Sequence, residues 1–182
     1  RTLWTRYSLS MVNYSVSSFA DLSSTPNVER NLSRNAAAIG SYFVPYYGIT
    51  AGTKIGDLLD VIVKNGVKVV EAIKAGTQDL STFQSIWAEQ TYALAEYLNK
   101  LNPSQYPTDL INEMLTNLTK FWVDDFNARL SKDFAAVDIA QDNILKVAVS
   151  GVPDHITNKG YSSLADILSR GVIAQFPNLF MA

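Results

Sequence analysis

The stretch from Arg30 to Gly76 restricts the fold most, because two runs of helical periodicity flank the corner Pro45-Tyr46-Tyr47-Gly48. Apolar residues at Leu32, Ala36, Ile39 and Phe43 recur every three or four positions, which places them on one helix face. A second run, Ile55, Leu58, Leu59, Ile62, Gly66, Val69, Val70 and Ile73, continues until Gly76. Between them, Pro45 biases Val44 towards extended geometry unless it is absorbed as a kink, and Gly48 can take positive φ. The chain is therefore expected to turn back on itself at Tyr46 to Gly48, burying Ile39, Phe43, Leu59 and Ile62.

The remaining segments read as helices cut to pack against that hairpin. Leu3 to Leu22 carries Trp4, Tyr7, Met11, Tyr14, Ser18 and Leu22 near heptad a and d positions, with many serines that leave its helicity dependent on packing. After a connection at Ser23 to Asn27 comes the hairpin, then a link at Gly76 to Asp79 in which Thr77 or Asp79 could cap the next helix. Leu80 to about Asn99 is expected to bury Phe83, Ile86, Trp87, Leu94, Tyr97 and Leu98 against the hairpin's second arm. Asn102-Pro103-Ser104 and Tyr106-Pro107-Thr108 are loop signals. They precede a helix over Leu110 to Leu130, with Ile111, Met114, Leu115, Leu118, Phe121, Trp122 and Phe126 inward.

Asp133 caps a helix with Phe134, Val137, Ile144, Val147 and Ala148 on its apolar face, and Ser150 to Pro153 ends it. His155 to Tyr161 reads as loop and Ser162 to Ile173 as a last short helix. Phe176 and Phe180, in an apolar tail, should dock on the bundle. No segment alternates with period two between hairpin turns, so a sheet is not expected. The fold class is all-α: an antiparallel bundle of about six or seven helices, in one domain spanning 1–182.

Several of these residues also carry a resemblance. Arg30-x-Leu32-x-x-Asn35, Ile39-Gly40, Pro45-Tyr46-Tyr47-Gly48, Leu58-Leu59, Trp87, Asn102-Pro103 and Gln175-Phe176-Pro177 together resemble an uncharacterised family of small helical proteins, known mainly from bacteria. Some of its members carry an unsupported glycosyltransferase label. The resemblance implies a helical fold and no established activity. Several members have histidines in the first helix and after the Leu-Leu pair, where this chain has Tyr7 and aliphatics such as Ile62.

Composition narrows the chemistry. A formal charge of −2 removes the broad positive field that non-specific nucleic-acid binding needs, so no nucleic-acid partner is expected. No apolar run is long enough to span a bilayer. Zero cysteines exclude thiolate ligands and cysteine nucleophiles, and one histidine cannot furnish the paired Glu-x-x-His motifs of a di-iron bundle. No cofactor is expected, although Asp57, Asp60, Asp124 and Asp125 could in principle hold Mg²⁺ or Ca²⁺ through oxygen. A triad of His155 with a serine such as Ser150 lacks any support beyond proximity in sequence. Gly48 to Lys54 departs from a phosphate loop in glycine spacing, in the hydroxyl after lysine and in the absence of a preceding strand. Arg30 and Arg34, one turn apart, could hold an anion or form an ordinary charged face.

What stands out is polar company for the aromatic interior: Asn35, Gln90 and Asp125 fall at or beside inward positions, as Asn117 does. Buried polar groups need partners, so Asn35, Trp87, Gln90 and Asp125 are expected to converge as a hydrogen-bond network, leaving at most a small cavity edged by Tyr47. These five are the candidate ligand-binding residues. The chain as a whole is expected to be an interaction or structural component, with a protein partner or a second copy. The alternative is a small-ligand binder using that interior, and an enzyme ranks third. The sequence assigns no compartment.

Overall fold

Gly48, at φ 82° and ψ 166°, is the one residue of α2 (Thr25–Ala75) outside helical geometry, and it folds this long helix into two antiparallel arms. Only glycine enters that backbone region without strain. The structure is a computed structural model and describes residues 1–77, 80–154 and 160–181. A Cβ on Gly40 would run into the carbonyl oxygen of Gly52 and lie 2.8 Å from the nitrogen of Gly56. In an unbroken helix residues 40 and 52 would stand about 18 Å apart, so this contact records the fold-back. Ile39, Phe43, Leu59 and Ile62 are buried, as their periodicity predicts.

The other elements are α1 (Thr2–Phe19), α3 (Leu80–Leu101), α4 (Thr108–Leu130), α5 (Phe134–Leu145) and α6 (Leu164–Gln175). A π turn (Lys146–Ser150) extends α5, and a 3-10 turn (Pro177–Leu179) follows α6. With α2 filling two places, the described residues form an all-α bundle. Aromatic side chains lock it by donating to main-chain carbonyls of neighbouring elements. Tyr7 Oη bonds Leu59 O at 3.0 Å, Trp87 Nε1 bonds Ile62 O at 2.7 Å, and Trp122 Nε1 bonds Ser8 O at 3.0 Å. Tyr106 Oη bonds Leu168 O at 2.8 Å while its ring presses on Gly171, where no side chain would fit. Each of these groups would otherwise be a buried donor without a partner.

The polar side of α1 is used in the same way. Ser10 and Ser15 bond back to the carbonyls of Tyr7 and Val12, and Tyr14 and Ser18 both donate to Glu71 Oε1 on the second arm of α2, at 3.0 and 2.7 Å. Ser10 and Ser15 are thus satisfied within α1, and Ser18 with Tyr14 ties it to α2.

Some expectations are corrected. Helix α2 passes through Pro45 without leaving helical geometry. Both the proline and Ser41, whose carbonyl loses its donor, are exposed, so water can replace that bond. Helix α1 ends at Phe19 rather than Leu22, because Asp21 takes a left-handed φ of 51° and leaves Leu22 exposed in the turn. Phe134 lies in solvent instead of on the core face. Side chains tilt towards the helix N-terminus, so this first-turn ring overhangs the end of α5.

Phe83, Ile86, Tyr97 and Phe121 are only half-buried. Asp133 caps α5, accepting from Ala136 N at 3.1 Å, but α4 starts at Thr108 after Pro107 with no side-chain cap. Val152–Asp154 (β1) and Gly160–Ser162 (β2) pair antiparallel, where only a helix end and a loop were expected; three-residue strands are too short to show alternation. Asp79 and His155 lie outside the described residues.

Candidate interaction surface

The five residues singled out by sequence occupy separate places. Asn35 Nδ2 donates to Arg6 O at 3.3 Å, in an open groove between α1 and the first arm of α2. Trp87 is buried, with its ring stacked on Trp122 at 5.9 Å. Gln90, one turn on, is half-buried with Oε1 lacking a partner. Asp125 is fully buried and accepts two bonds from Arg129, at 2.7 and 3.0 Å, and one from Gln141 at 3.4 Å. Tyr47 sits at the hairpin tip and donates to Gln175 Oε1 at 2.7 Å.

Among the described residues no hydrogen bond joins any two of the five, so the expected network does not form. Each polar group that finds a partner finds a nearer one: a helix carbonyl for Trp87, and a guanidinium one turn along the same helix for Asp125. Trp87 forms the floor of an open groove of about 360 Å³ between α3 and α4, together with Gln84, Thr116, Thr119 and Lys120. The carboxylates considered for a cation do not meet either. Asp60 pairs with Lys64, Asp124 with Lys120 and Asp125 with Arg129, and the described residues contain no cluster of three or more potential ligands.

A different feature emerges around Tyr47. Three segments converge on one end of the bundle: the hairpin tip, the turn between α3 and α4, and the segment after α6. Tyr46 packs on Phe176 and stacks on Phe180, both at 5.9 Å, and Tyr47 meets Phe176 edge-on at 5.3 Å. Asn102 Nδ2 donates to Gly171 O at 3.0 Å, and Gln175 Nε2 to Leu101 O at 3.4 Å. None of these segments carries a charged side chain. Residues 35–53, 101–108 and 171–181 contain no Asp, Glu, Lys, Arg or His, in a chain that is 18% charged.

This neutral end holds large apolar side chains in solvent: Ile49 is 73% exposed, Leu179 61%, Phe180 43% and Met181 77%. The hairpin and tail hydrogen bonds present them on a fixed base. Exposed apolar side chains also occur near the start of α5, at Leu130, Phe134 and Ile139, but there Lys132, Asp133 and Asp138 are interspersed. Tyr47 is the one sequence-selected residue at the tip of the neutral end, Asn35 lying at the far border of its first segment beside α1. The absence of charge was visible in the sequence, but the convergence of three remote segments was not. No family model matches the chain, and neither does any curated protein or solved structure, so the family resemblance rests on its motifs alone.

Proposed function

We propose that this protein is an interaction component of a larger assembly, and that it docks through the neutral end. The observation that carries this reading is the exposure of Ile49, Leu179, Phe180 and Met181 together on segments free of charged side chains. Large apolar side chains left in water forgo roughly 1.5–3 kcal/mol each of burial free energy. The centres of protein interfaces are depleted of charge and enriched in tyrosine, phenylalanine and methionine, as this end is. Its base is held by hydrogen bonds between the converging segments, so the apolar side chains are displayed at little further ordering cost.

Photo-cross-linking tests the proposal. A benzophenone side chain at position 49, in protein expressed in its native cells, is expected to give an adduct, to protein or to lipid, that the same group at Ile139 does not. No adduct at 49, or equal adducts at both positions, counts against docking through this end.

A further inference from the structure

Resting on that reading, we infer that the neutral end docks onto a lipid bilayer surface bearing anionic headgroups. Charge decides between a bilayer and a protein partner. The core of a protein interface is also depleted of charge, but its polar rim pairs charged side chains, whereas the acyl region of a bilayer offers no counter-charge, so depletion along three whole segments favours the bilayer. Three segments remote in sequence meet at this end, and all three lack charge throughout. The exposed residues suit shallow insertion: Ile49, Leu179, Phe180 and Met181 are apolar, and Tyr42, Tyr46 and Tyr47 lie half-buried behind them. Tyrosine rings favour the boundary between acyl chains and headgroups.

The charges that border the neutral segments complete the pattern. Lys54 follows the first segment and Lys100 precedes the second, while Arg170, before the third, is half-buried and donates to Ser162 Oγ at 2.6 Å, and Asp109 is the acidic residue at a border. The net charge of the chain is −2, so this cationic border is not a sample of the whole surface. Lys54 lies about 9 Å along the arm from Gly48, within the roughly 5–10 Å over which interfacial elements sink into a bilayer. Lys54 is exposed and has no ion-pair partner among the described residues; Lys100 is exposed beside Glu96 at 3.7 Å. Asp57 and Glu96 stand about one turn further from the tip, beyond the lysines. Apolar side chains would enter the acyl boundary while the lysines reach phosphate oxygens at headgroup level. Among the described residues no helix is long and apolar enough to cross a membrane, so attachment through this end would be peripheral.

Flotation of the full chain with phosphatidylcholine vesicles, with and without phosphatidylglycerol, tests the inference. The wild-type chain is expected to float with the anionic vesicles and less with the neutral ones. Ile49→Asp with Phe180→Asp should lower the bound fraction roughly tenfold or more, since both side chains lose their apolar burial. Lys54→Glu with Lys100→Glu should abolish the preference for phosphatidylglycerol, and Phe134→Asp with Ile139→Asp on α5 should change nothing. All of these positions are exposed, and circular dichroism checks that each variant is folded.

Wild-type protein that stays at the bottom with both vesicles, or an α5 variant that loses as much as the tip variant, overturns the lipid assignment. Sedimentation of the same samples separates that failure from failure of the docking reading. A wild-type dimer that Ile49→Asp dissociates, without vesicle binding, would replace the bilayer by a second copy and leave docking through this end intact. Monomers without flotation, together with no photo-adduct at position 49, would overturn both.

Discussion

Replacing Gly40 with alanine should loosen the hairpin that organises the bundle, and the same change at Gly56, its neighbour across the arms, should not. The added methyl at position 40 would run into Gly52 O and lie 2.8 Å from Gly56 N and 2.9 Å from Gly56 Cα. Carbon atoms prefer contacts of about 3.5–4.0 Å, so the arms must separate by about 1 Å. All three obstacles are main-chain atoms, and no rotamer change relieves them. Overpacking of this kind costs about 1–3 kcal/mol, and alanine's helix propensity returns about 1 kcal/mol. Because the backbone cannot yield locally, the cost should fall in the upper part of that range, for a net loss of about 2 kcal/mol. In a chain of this size that corresponds to a melting temperature lowered by roughly 4–8 °C.

At Gly56 the nearest atom to an added methyl is Ala37 Cα at 3.4 Å, with Ala36 O at 3.6 Å. Those are ordinary contacts, so the propensity gain should dominate and Gly56→Ala should be neutral or stabilising by up to about 1 kcal/mol. Urea unfolding followed by circular dichroism measures both. Equal stabilities for Gly40→Ala and wild type, or equal losses at the two positions, would refute this packing of the two arms.

Two further outcomes rest on polar contacts. Arg129→Met keeps an apolar stem but leaves the Asp125 carboxylate buried with only the long contact from Gln141, and breaking such a pair costs about 3–5 kcal/mol. The Arg129 side chain retains 18% exposure, so water can approach and about 3 kcal/mol is expected by urea titration. Asp125→Leu with Arg129→Met should recover most of that loss, and a single-variant cost below about 1 kcal/mol would contradict a buried pair. For Asp166, burial raises the carboxyl pKa, but hydrogen bonds from Ser163 and Arg1, with the charges of Arg1 and Arg170, outweigh it and hold the group below its ordinary 3.8. A depressed carboxylate contributes stability that is present above pH 3.8 and lost as pH falls through the lower folded-state value. Asp166→Asn should therefore flatten the acid limb of melting temperature against pH, and an unchanged limb would speak against the contact.

How far the sequence reaches depends on whether a feature is local. The hairpin was legible because periodicity on both sides and Gly48 between them are properties of adjacent residues. The role of Pro45 was not, because whether a proline ends a helix depends on what its orphaned carbonyl faces, and here Ser41 faces water. Gly40 and Gly52 illustrate the same limit. A glycine within a helical run reads as a weak point, and only the facing arm turns it into a contact that excludes every larger side chain. Leu22 and Phe134 were misjudged at helix ends, where one residue of fraying or the tilt of a side chain decides between core and solvent.

The site residues show why inward polar positions do not reveal which of them meet. Periodicity tells which face a side chain occupies and nothing about its neighbours on other helices. Trp87 and Asp125 were rightly placed in the interior, yet their needs are met by Ile62 O and by Arg129. A buried polar group is under pressure to find a partner wherever it lies, and an i,i+4 arginine or a nearby carbonyl satisfies that pressure without any ligand. Exposed apolar groups carry the opposite signature. Ile49 and Met181 lie in water, and three segments that only the topology unites lack charge together. Function in this chain is therefore better sought where the fold leaves a free-energy demand unmet than where it has met one.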